Sequence, residues 1–280
     1  MKKIRKIRVI GMMFCLGLLI LTSGCSEQYK MERLVWHADQ DAKSIFINEG
    51  AVPSYEFNRV LEMYKKIIKV KPDSKYALDA KFKITKLYLS EKNYDQARFE
   101  YDAIMNEYKD NAELVSGTLF LKGQSYEQEK KWPEALKLFN QIIAQYDKTS
   151  QALSVPMYIA RYYMAEEDTV EAVKAYKTAI DYYQNIADKY PHSKASLLCE
   201  NLIVRVYMEM SSWDDALEYI QKLDSKYKLG PETLMFMAQI YKEKVKDMAK
   251  ARAVYQRILD EYPEHKVADY VRQLMEQEKK

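Results

Sequence analysis

The chain has 280 residues, of which 48% are hydrophobic and 30% charged, so it is long enough to bury a sizeable core. Its formal net charge is +3, but five of the positive charges stand together at the start, on Lys2, Lys3, Arg5, Lys6 and Arg8. Without residues 1–24 the net charge becomes −2, because that segment carries these five cations and no acid. A nearly neutral remainder excludes the clustered basic face typical of nucleic-acid-binding proteins.

The first 24 residues have the pattern of a secretory signal peptide: a basic start, an apolar run from Val9 to Leu21, and small residues before Cys25. The run is shorter than the roughly 20 residues that a spanning helix needs. The segment Leu21-Thr22-Ser23-Gly24-Cys25 resembles a lipobox, with Thr22 where that motif usually has leucine. The resemblance implies cleavage before Cys25 and lipidation of its thiol. The alternative is an ordinary cleaved signal with a free cysteine.

Cysteine and glycine are scarce after this segment. Cys199 is the one cysteine besides Cys25, so an intramolecular disulfide is not expected, and its apolar neighbours favour a small buried side chain. Only four glycines follow residue 24. Since turns with positive φ favour glycine, this scarcity predicts an all-helical protein with short connections.

Residues 25–39 are predicted to be a lipidated linker, and an internal repeat follows at 40–263. Five segments share a tyrosine, an alanine nine residues later and an apolar or aromatic residue four further on, with one residue inserted in the fifth segment. The alanines are Ala97, Ala135, Ala172, Ala216 and Ala251. They are followed by Tyr101, Phe139, Tyr176, Ile220 and Tyr255.

A sixth, degraded copy contains Val60, Tyr64 and Ile67 at the same spacing. The interval between Ala172 and Ala216 is 44 residues, about two helical turns longer than its neighbours. This length predicts that the helix after Ala172 is prolonged. Residues 264–280 are predicted to form a polar helix that caps the end of the array.

The offsets of small and aromatic residues over 40–263 resemble the tetratricopeptide repeat (TPR), although the period of about 38 exceeds the usual 34. The resemblance implies an all-α, right-handed helical solenoid of five to six hairpin repeats. It also implies a protein-binding groove built by the first helix of each pair. Two positions of each repeat would line this groove. The first position forms a mainly apolar strip along the array, and the second forms a ladder of polar and basic side chains beside it. The predicted groove residues are Phe82, Lys86, Phe120, Gln124, Met157, Arg161, Arg205, Met235 and Gln239, together with Asn201. The alternative interpretation makes Phe82, Phe120 and Met157 part of the core.

Catalytic and cofactor motifs are not found in the sequence. The three histidines lack metal-ligand spacing, and no phosphate-binding or nucleophile-elbow motif occurs. We therefore expect a protein that is not an enzyme and has no cofactor, metal site or nucleic-acid partner.

A lipidated cysteine followed directly by helical repeats is similar to the outer-membrane-assembly lipoproteins (BamD-like). The resemblance implies a periplasmic adaptor that binds other proteins, and Ser26 after Cys25 favours the outer membrane. One alternative is a TPR lipoprotein that coordinates envelope, division or secretion-apparatus assembly. A more remote alternative is a lipoprotein cell-wall enzyme.

Overall fold

A computed structural model describes residues 27–47 and 52–277 of the chain. All regular secondary structure within these two ranges is helical, so the predicted all-α fold is confirmed. The chain divides into two compact units, Met1–Ile142 and Ile143–Lys280.

Within its described residues the first unit contains six helices, of which the last crosses the boundary between the units. They are residues 27–47 (α1), Ser54–Val70 (α2), Lys75–Ser90 (α3), Tyr94–Glu107 (α4), Ala112–Gln128 (α5) and Trp132–Gln145 (α6).

The second unit contains seven helices between residues 150 and 277, and a π-helical segment, Ile240–Val245, continues α11. They are Ser150–Ala165 (α7), Thr169–Lys189 (α8), Lys194–Glu209 (α9), Trp213–Tyr227 (α10), Pro231–Gln239 (α11), Met248–Glu261 (α12) and Lys266–Gln277 (α13).

From α2 onward, connections of two to four residues join successive helices and favour helical hairpins, in which neighbouring helices pack antiparallel. Most of the helices begin at a polar residue whose side chain accepts a hydrogen bond from a backbone N–H in the first turn. The capping residues are Ser74, Asn93, Asn111, Thr149, Asp168, Ser193 and Asp247. These caps fix where the seven helices begin, because each one satisfies a backbone N–H group that the helix itself leaves without a partner.

The repeated alanines lie near the start of the second helix of each pair, and all five are fully buried. The aromatic or apolar residue four positions later is also buried, from 0% exposed at Phe139 and Tyr255 to 4% at Tyr176. The degraded copy behaves in the same way, since Val60, Tyr64 and Ile67 are 0% exposed. The predicted repeat register is therefore confirmed.

Two irregularities of the repeat have direct structural counterparts. The long interval after Ala172 is taken up by α8, which has 21 residues where α6 and α12 have 14. The single inserted residue in the fifth segment coincides with the π-helical segment Ile240–Val245. A π-bulge is the way in which a helix takes up one extra residue without losing its buried face.

The turns inside the pairs adopt a left-handed backbone conformation without glycine. Each turn contains a non-glycine residue at positive φ, and each of these residues stands five positions before a repeated alanine. They are Lys92, Lys130, Glu167, Ser211 and Lys246, with φ between 56° and 63°. The connections are short, as predicted, but polar residues rather than glycines hold the left-handed conformation. The interhelical packing on both sides stabilises a backbone state that costs such residues roughly 1–2 kcal/mol.

Residues 27–39 are not a linker, because they form the first half of α1. Met31, Ala38, Ala42 and Ile45 recur at helical spacing and are 0–3% exposed. They pack with α2 and α3 in the hydrophobic core of the first unit. At the other end, α13 covers the last core cluster through Ala268 and Val271, both 0% exposed.

Candidate protein-binding surface

All the predicted groove residues lie on the first helix of their pair. Phe82 and Lys86 belong to α3, and Phe120 and Gln124 belong to α5, both in the first unit. The second unit supplies the remaining pairs of positions, on α7, α9 and α11. The two members of each pair are four residues apart, so they lie on the same face of their helix.

The predicted apolar strip is interrupted, because two of its members are core residues. Met157 is 3% exposed and packs in the cluster around Tyr176 and Tyr183, and Met235 is 8% exposed in the cluster around Tyr255. These side chains fill the space between helices and are not available to a ligand, which corrects the groove prediction at both positions.

The aromatic members of the strip are only partly buried. Phe82 and Phe120 have intermediate exposure, and the ring of Phe120 lies 5.3 Å from that of the buried Phe139. On α9 the strip position is Asn201, which is exposed and donates from Nδ2 to the Leu197 carbonyl at 2.7 Å. These three residues can therefore contribute surface, whereas the methionines cannot.

The polar ladder remains at the surface. Lys86, Arg161, Arg205 and Gln239 are exposed, and Gln124 is partly exposed. In the first unit the Nζ of Lys86 lies 4.2 Å above the ring of Phe46 on α1. Both residues line a groove of about 440 Å³ that also includes Leu89, Tyr94 and Gln128. This groove combines apolar walls with the positive charges of Lys86 and Lys92, which suits a peptide that carries apolar and acidic side chains.

In the second unit, two ladder residues from different helices meet at one carboxylate. Arg161 of α7 donates to both oxygens of Glu209, through Nε at 2.9 Å and Nη2 at 2.5 Å. Arg205 of α9 donates from Nε to Oε1 of the same residue at 3.3 Å, and the Tyr176 hydroxyl donates to Oε2 at 3.2 Å. We refer to Arg161, Arg205, Glu209 and Tyr176 as the arginine cluster.

The arginine cluster carries a net positive charge near neutral pH. Burial alone would raise the pKa of Glu209, but the hydrogen bonds and charge of Arg161 outweigh it and hold that pKa below its ordinary value. The hydrogen bonds to Glu209 in turn raise the pKa of Arg161. Two guanidinium groups therefore face one ionised carboxylate. The Arg205 side chain is 61% exposed, so its free N–H groups can donate hydrogen bonds to a further carboxylate from a partner.

Glu209 was not among the predicted site residues. Its pairing with Arg205 follows a sequence signal, because the two are four residues apart on one helix. Its pairing with Arg161 spans 48 residues and depends on how α7 and α9 pack.

A second groove in the same unit is acidic and was also not predicted. It has a volume of about 470 Å³ and is lined by Asp181, Asp215 and Glu218 with the single cation Lys222. Tyr207 and Tyr219 form its aromatic wall, with ring centroids 6.3 Å apart. Burial and then the nearby carboxylates raise the pKa of Tyr207, so its hydroxyl stays protonated.

Cys199 is a free cysteine and is fully buried, as its apolar neighbours predicted. Burial, followed by the charge of Glu200, raises the pKa of its thiol to about 11. The thiol is therefore almost entirely protonated at neutral pH, which makes it a poor nucleophile.

The described residues contain neither a cluster of three or more potential metal ligands nor a helix long and apolar enough to cross a membrane. Cys25 and the predicted signal peptide lie outside the described residues.

Two segments of the chain, residues 118–149 and 233–265, match the tetratricopeptide repeat. Among solved structures, the chain is similar to BtubC of P. vanneervenii, with 14% identity, coverage of 88% of this chain and 92% of that one, and a TM-score of 0.41. It is also similar to a tetratricopeptide repeat protein of Parabacteroides merdae (13% identity, 82% and 79% coverage, TM-score 0.38). A third is PilF of Pseudomonas aeruginosa (12% identity, 85% and 99% coverage, TM-score 0.35). No protein of curated function matches the sequence.

Proposed function

We propose that this chain is a lipid-anchored protein-interaction scaffold on the periplasmic side of a bacterial outer membrane, where it serves as an adaptor in outer-membrane protein assembly. Tetratricopeptide repeats generally mediate binding between proteins, and two segments of the chain match this repeat. The signal-like first 24 residues and the lipobox-like sequence before Cys25 support the anchor and the compartment.

The arginine cluster is the main structural support for the proposed binding function. Its two arginines come from the first helices of neighbouring pairs, and both side chains are at least 46% exposed. They share one carboxylate, which leaves an excess positive charge in a fixed position. Guanidinium groups bind carboxylates with two parallel hydrogen bonds, so this site favours an acidic side chain or a chain terminus of a partner protein.

The test is purification of the tagged lipoprotein from its own host in a mild detergent, with identification of the proteins that remain bound. We expect recovery of a large outer-membrane β-barrel assembly protein. Recovery of division, cell-wall or secretion components instead would place the scaffold in one of those assemblies and contradict the barrel-assembly role.

A pair of variants tests the arginine cluster itself. Replacing Arg161 and Arg205 by alanine should reduce recovery of the partner more than about tenfold, because each charge-assisted hydrogen bond contributes roughly 1.5–3 kcal/mol. The matched control replaces Lys177 and Lys194, which are exposed cations elsewhere on the same unit. Equal recovery with both double variants, at unchanged helical circular dichroism, would show that the partner binds elsewhere.

A further inference from the structure

Helix α1 presents a second apolar stripe on its solvent side. Tyr29, Trp36 and Ile47 are 65%, 57% and 77% exposed. Their spacings of 7 and 11 residues each correspond to a nearly whole number of helical turns, so the three side chains lie on one line along the helix. The residues that pack into the core, among them Met31 and Ala38, lie on the opposite side. Burial in the first unit therefore does not explain the outer stripe.

The acidic and basic residues of α1 differ in whether they have a partner elsewhere in the first unit. The four acidic residues all pair with groups on α2, on α3 or in the connection between them. Glu27 lies 3.8 Å from Lys71, Glu32 accepts from the Tyr76 hydroxyl at 3.2 Å, Asp39 accepts from Lys83 at 2.7 Å, and Asp41 lies 3.4 Å from Arg59.

The cations of α1 stand on the exposed side. Lys30, Arg33 and Lys43 are exposed, and the Nζ of Lys43 donates to the neutral Gln40 at 2.8 Å. No carboxylate of the described residues pairs with any of the three. We call the surface formed by these three cations with Tyr29, Trp36 and Ile47 the outer face of α1. It joins apolar and amphipathic aromatic side chains to three exposed cations, a combination that suits the headgroup region of an anionic membrane.

Under the proposed function, the lipid on Cys25 would hold α1 close to a membrane. The described part of α1 starts at residue 27, two positions after Cys25 in the sequence, and two residues span at most about 7 Å. Tyr29 and Ile47 are separated by about 27 Å along the axis. A helix that stood upright on its anchor would bring only its first turn to the bilayer. A helix that lay flat would bring the whole stripe.

We propose that α1 lies along the membrane surface, with its outer face against anionic phospholipid headgroups. This inference rests on the lipid anchor of the proposed function. The flat helix would orient the first unit relative to the bilayer, and tryptophan and tyrosine would occupy the interfacial region that they favour in membrane proteins.

Tryptophan fluorescence tests this placement. The lipidated protein is reconstituted in vesicles of phosphatidylethanolamine and phosphatidylglycerol, with or without brominated acyl chains that quench tryptophan on contact. The chain has three tryptophans. We expect brominated lipid to quench the wild-type protein and the Trp213→Phe variant, and Trp36→Phe to abolish this quenching. Trp36 is exposed, so its replacement leaves the core unchanged.

Flotation of the vesicles separates failure of this inference from failure of the anchor. If the lipidated protein does not float with the vesicles, the anchor is refuted and this inference with it. If it floats but Trp36→Phe and wild type are quenched equally, the placement of α1 alone is overturned. Shielding of Trp36 that rises with the surface density of the protein, without quenching by brominated lipid, would identify a second copy as the occupant and also overturn it.

The charge of the outer face is tested separately. Replacing Lys30 and Lys43 by glutamate should decrease the quenching of Trp36 on vesicles that contain phosphatidylglycerol and leave it unchanged on neutral phosphatidylcholine vesicles. The control is Lys66→Glu, which changes an exposed cation of α2. If quenching decreases equally for the control, or does not decrease for the double variant, the outer face does not interact with the charge of the membrane.

Discussion

Residue 123 is a glycine, and the absence of a Cβ atom there allows α5 to approach α6 closely. A Cβ placed on Gly123 would lie 2.5 Å from Cε1 of Phe139, well inside van der Waals contact. Phe139 is fully buried next to the ring of Trp132, so it has no empty space to move into. Gly117 on the same helix is different, because a Cβ there would meet no atom within 4 Å.

The two glycines predict opposite effects of the same substitution. Gly117→Ala should stabilise the protein by about 0.5–1 kcal/mol, since alanine is the better helix former. Gly123→Ala should destabilise it by about 1–3 kcal/mol, because the overpacking against Phe139 outweighs the propensity gain. Urea unfolding followed by circular dichroism measures both, with Gly117→Ala as the control for propensity. A gain of stability at both positions would refute the close approach of the two helices.

Side-chain identity predicted burial well at single positions and predicted backbone conformation poorly. The apolar neighbours of Cys199 predict a buried side chain, and Cys199 is fully buried, as are the alanines that mark the repeat. The left-handed residues Lys92 and Lys130 were missed, because neither lysine has a preference for positive φ. That conformation is imposed by the two packed helices on either side of the turn.

Between elements, one ion pair connects α10, α12 and the loop after α10. Asp224 accepts from both terminal nitrogens of Arg257, and its Oδ1 also accepts from the backbone N–H of Leu229 at 3.0 Å. The carboxylate is 15% exposed. Hydrogen bonding to Arg257 holds the pKa of Asp224 below its ordinary value, against the effect of burial.

This pair predicts a pH-dependent contribution to stability. Because the folded-state pKa of Asp224 is depressed, the ionised carboxylate stabilises the fold above its unfolded pKa of about 3.9 and ceases to do so as the pH falls through the folded-state pKa. Asp224→Asn should lower the free energy of unfolding by roughly 1–3 kcal/mol at neutral pH. The difference from wild type should shrink below about pH 4.

The matched control for Asp224→Asn is Glu261→Gln. Glu261 pairs with the same arginine, Nε to Oε1 at 2.7 Å, but from within one helix at i,i+4 spacing. Its loss should change stability by no more than about 0.5 kcal/mol. Denaturant unfolding at several pH values compares the two variants. A difference for Asp224→Asn that does not vary with pH would show that the carboxylate contributes through packing and not through its charge.

At the level of helices, the sequence predicted the presence and the length of the helices better than it predicted their function. The prolonged α8 and the irregular fifth repeat were visible as a change of interval and as one inserted residue. The start of the first helix was missed, because the buried face of α1 is marked only by widely spaced small and apolar residues such as Ala38 and Ala42. Ala38 and Ala42 can be recognised as core residues only from the packing of α2 and α3 against them.

For the molecule as a whole, attachment to a membrane depends on Cys25 in our proposal. Cys25→Ala should prevent incorporation of radiolabelled palmitate and release the protein from the membrane fraction, since lipid transfer requires the thiol. Cys199→Ala is the control, because that buried cysteine should not affect labelling. Retention of Cys25→Ala in membranes after a wash in high salt, or labelling of that variant, would contradict the lipid anchor.

Periodicity determined the helical fold, the register of the repeats and the identity of most core positions. These properties depend on interactions between residues a few positions apart, so the spacing of apolar and polar residues along the chain is enough to predict them. Which predicted groove residues reach a ligand was decided by tertiary packing, which buries Met157 and Met235 and brings Arg161 of α7 to Glu209 of α9. The same is true of the acidic residues of α1, because Asp39 and Asp41 find their partners Lys83 and Arg59 only through the packing of α1 against α3 and α2. Contacts between residues that are tens of positions apart depend on distances between helices, and no local pattern encodes those distances.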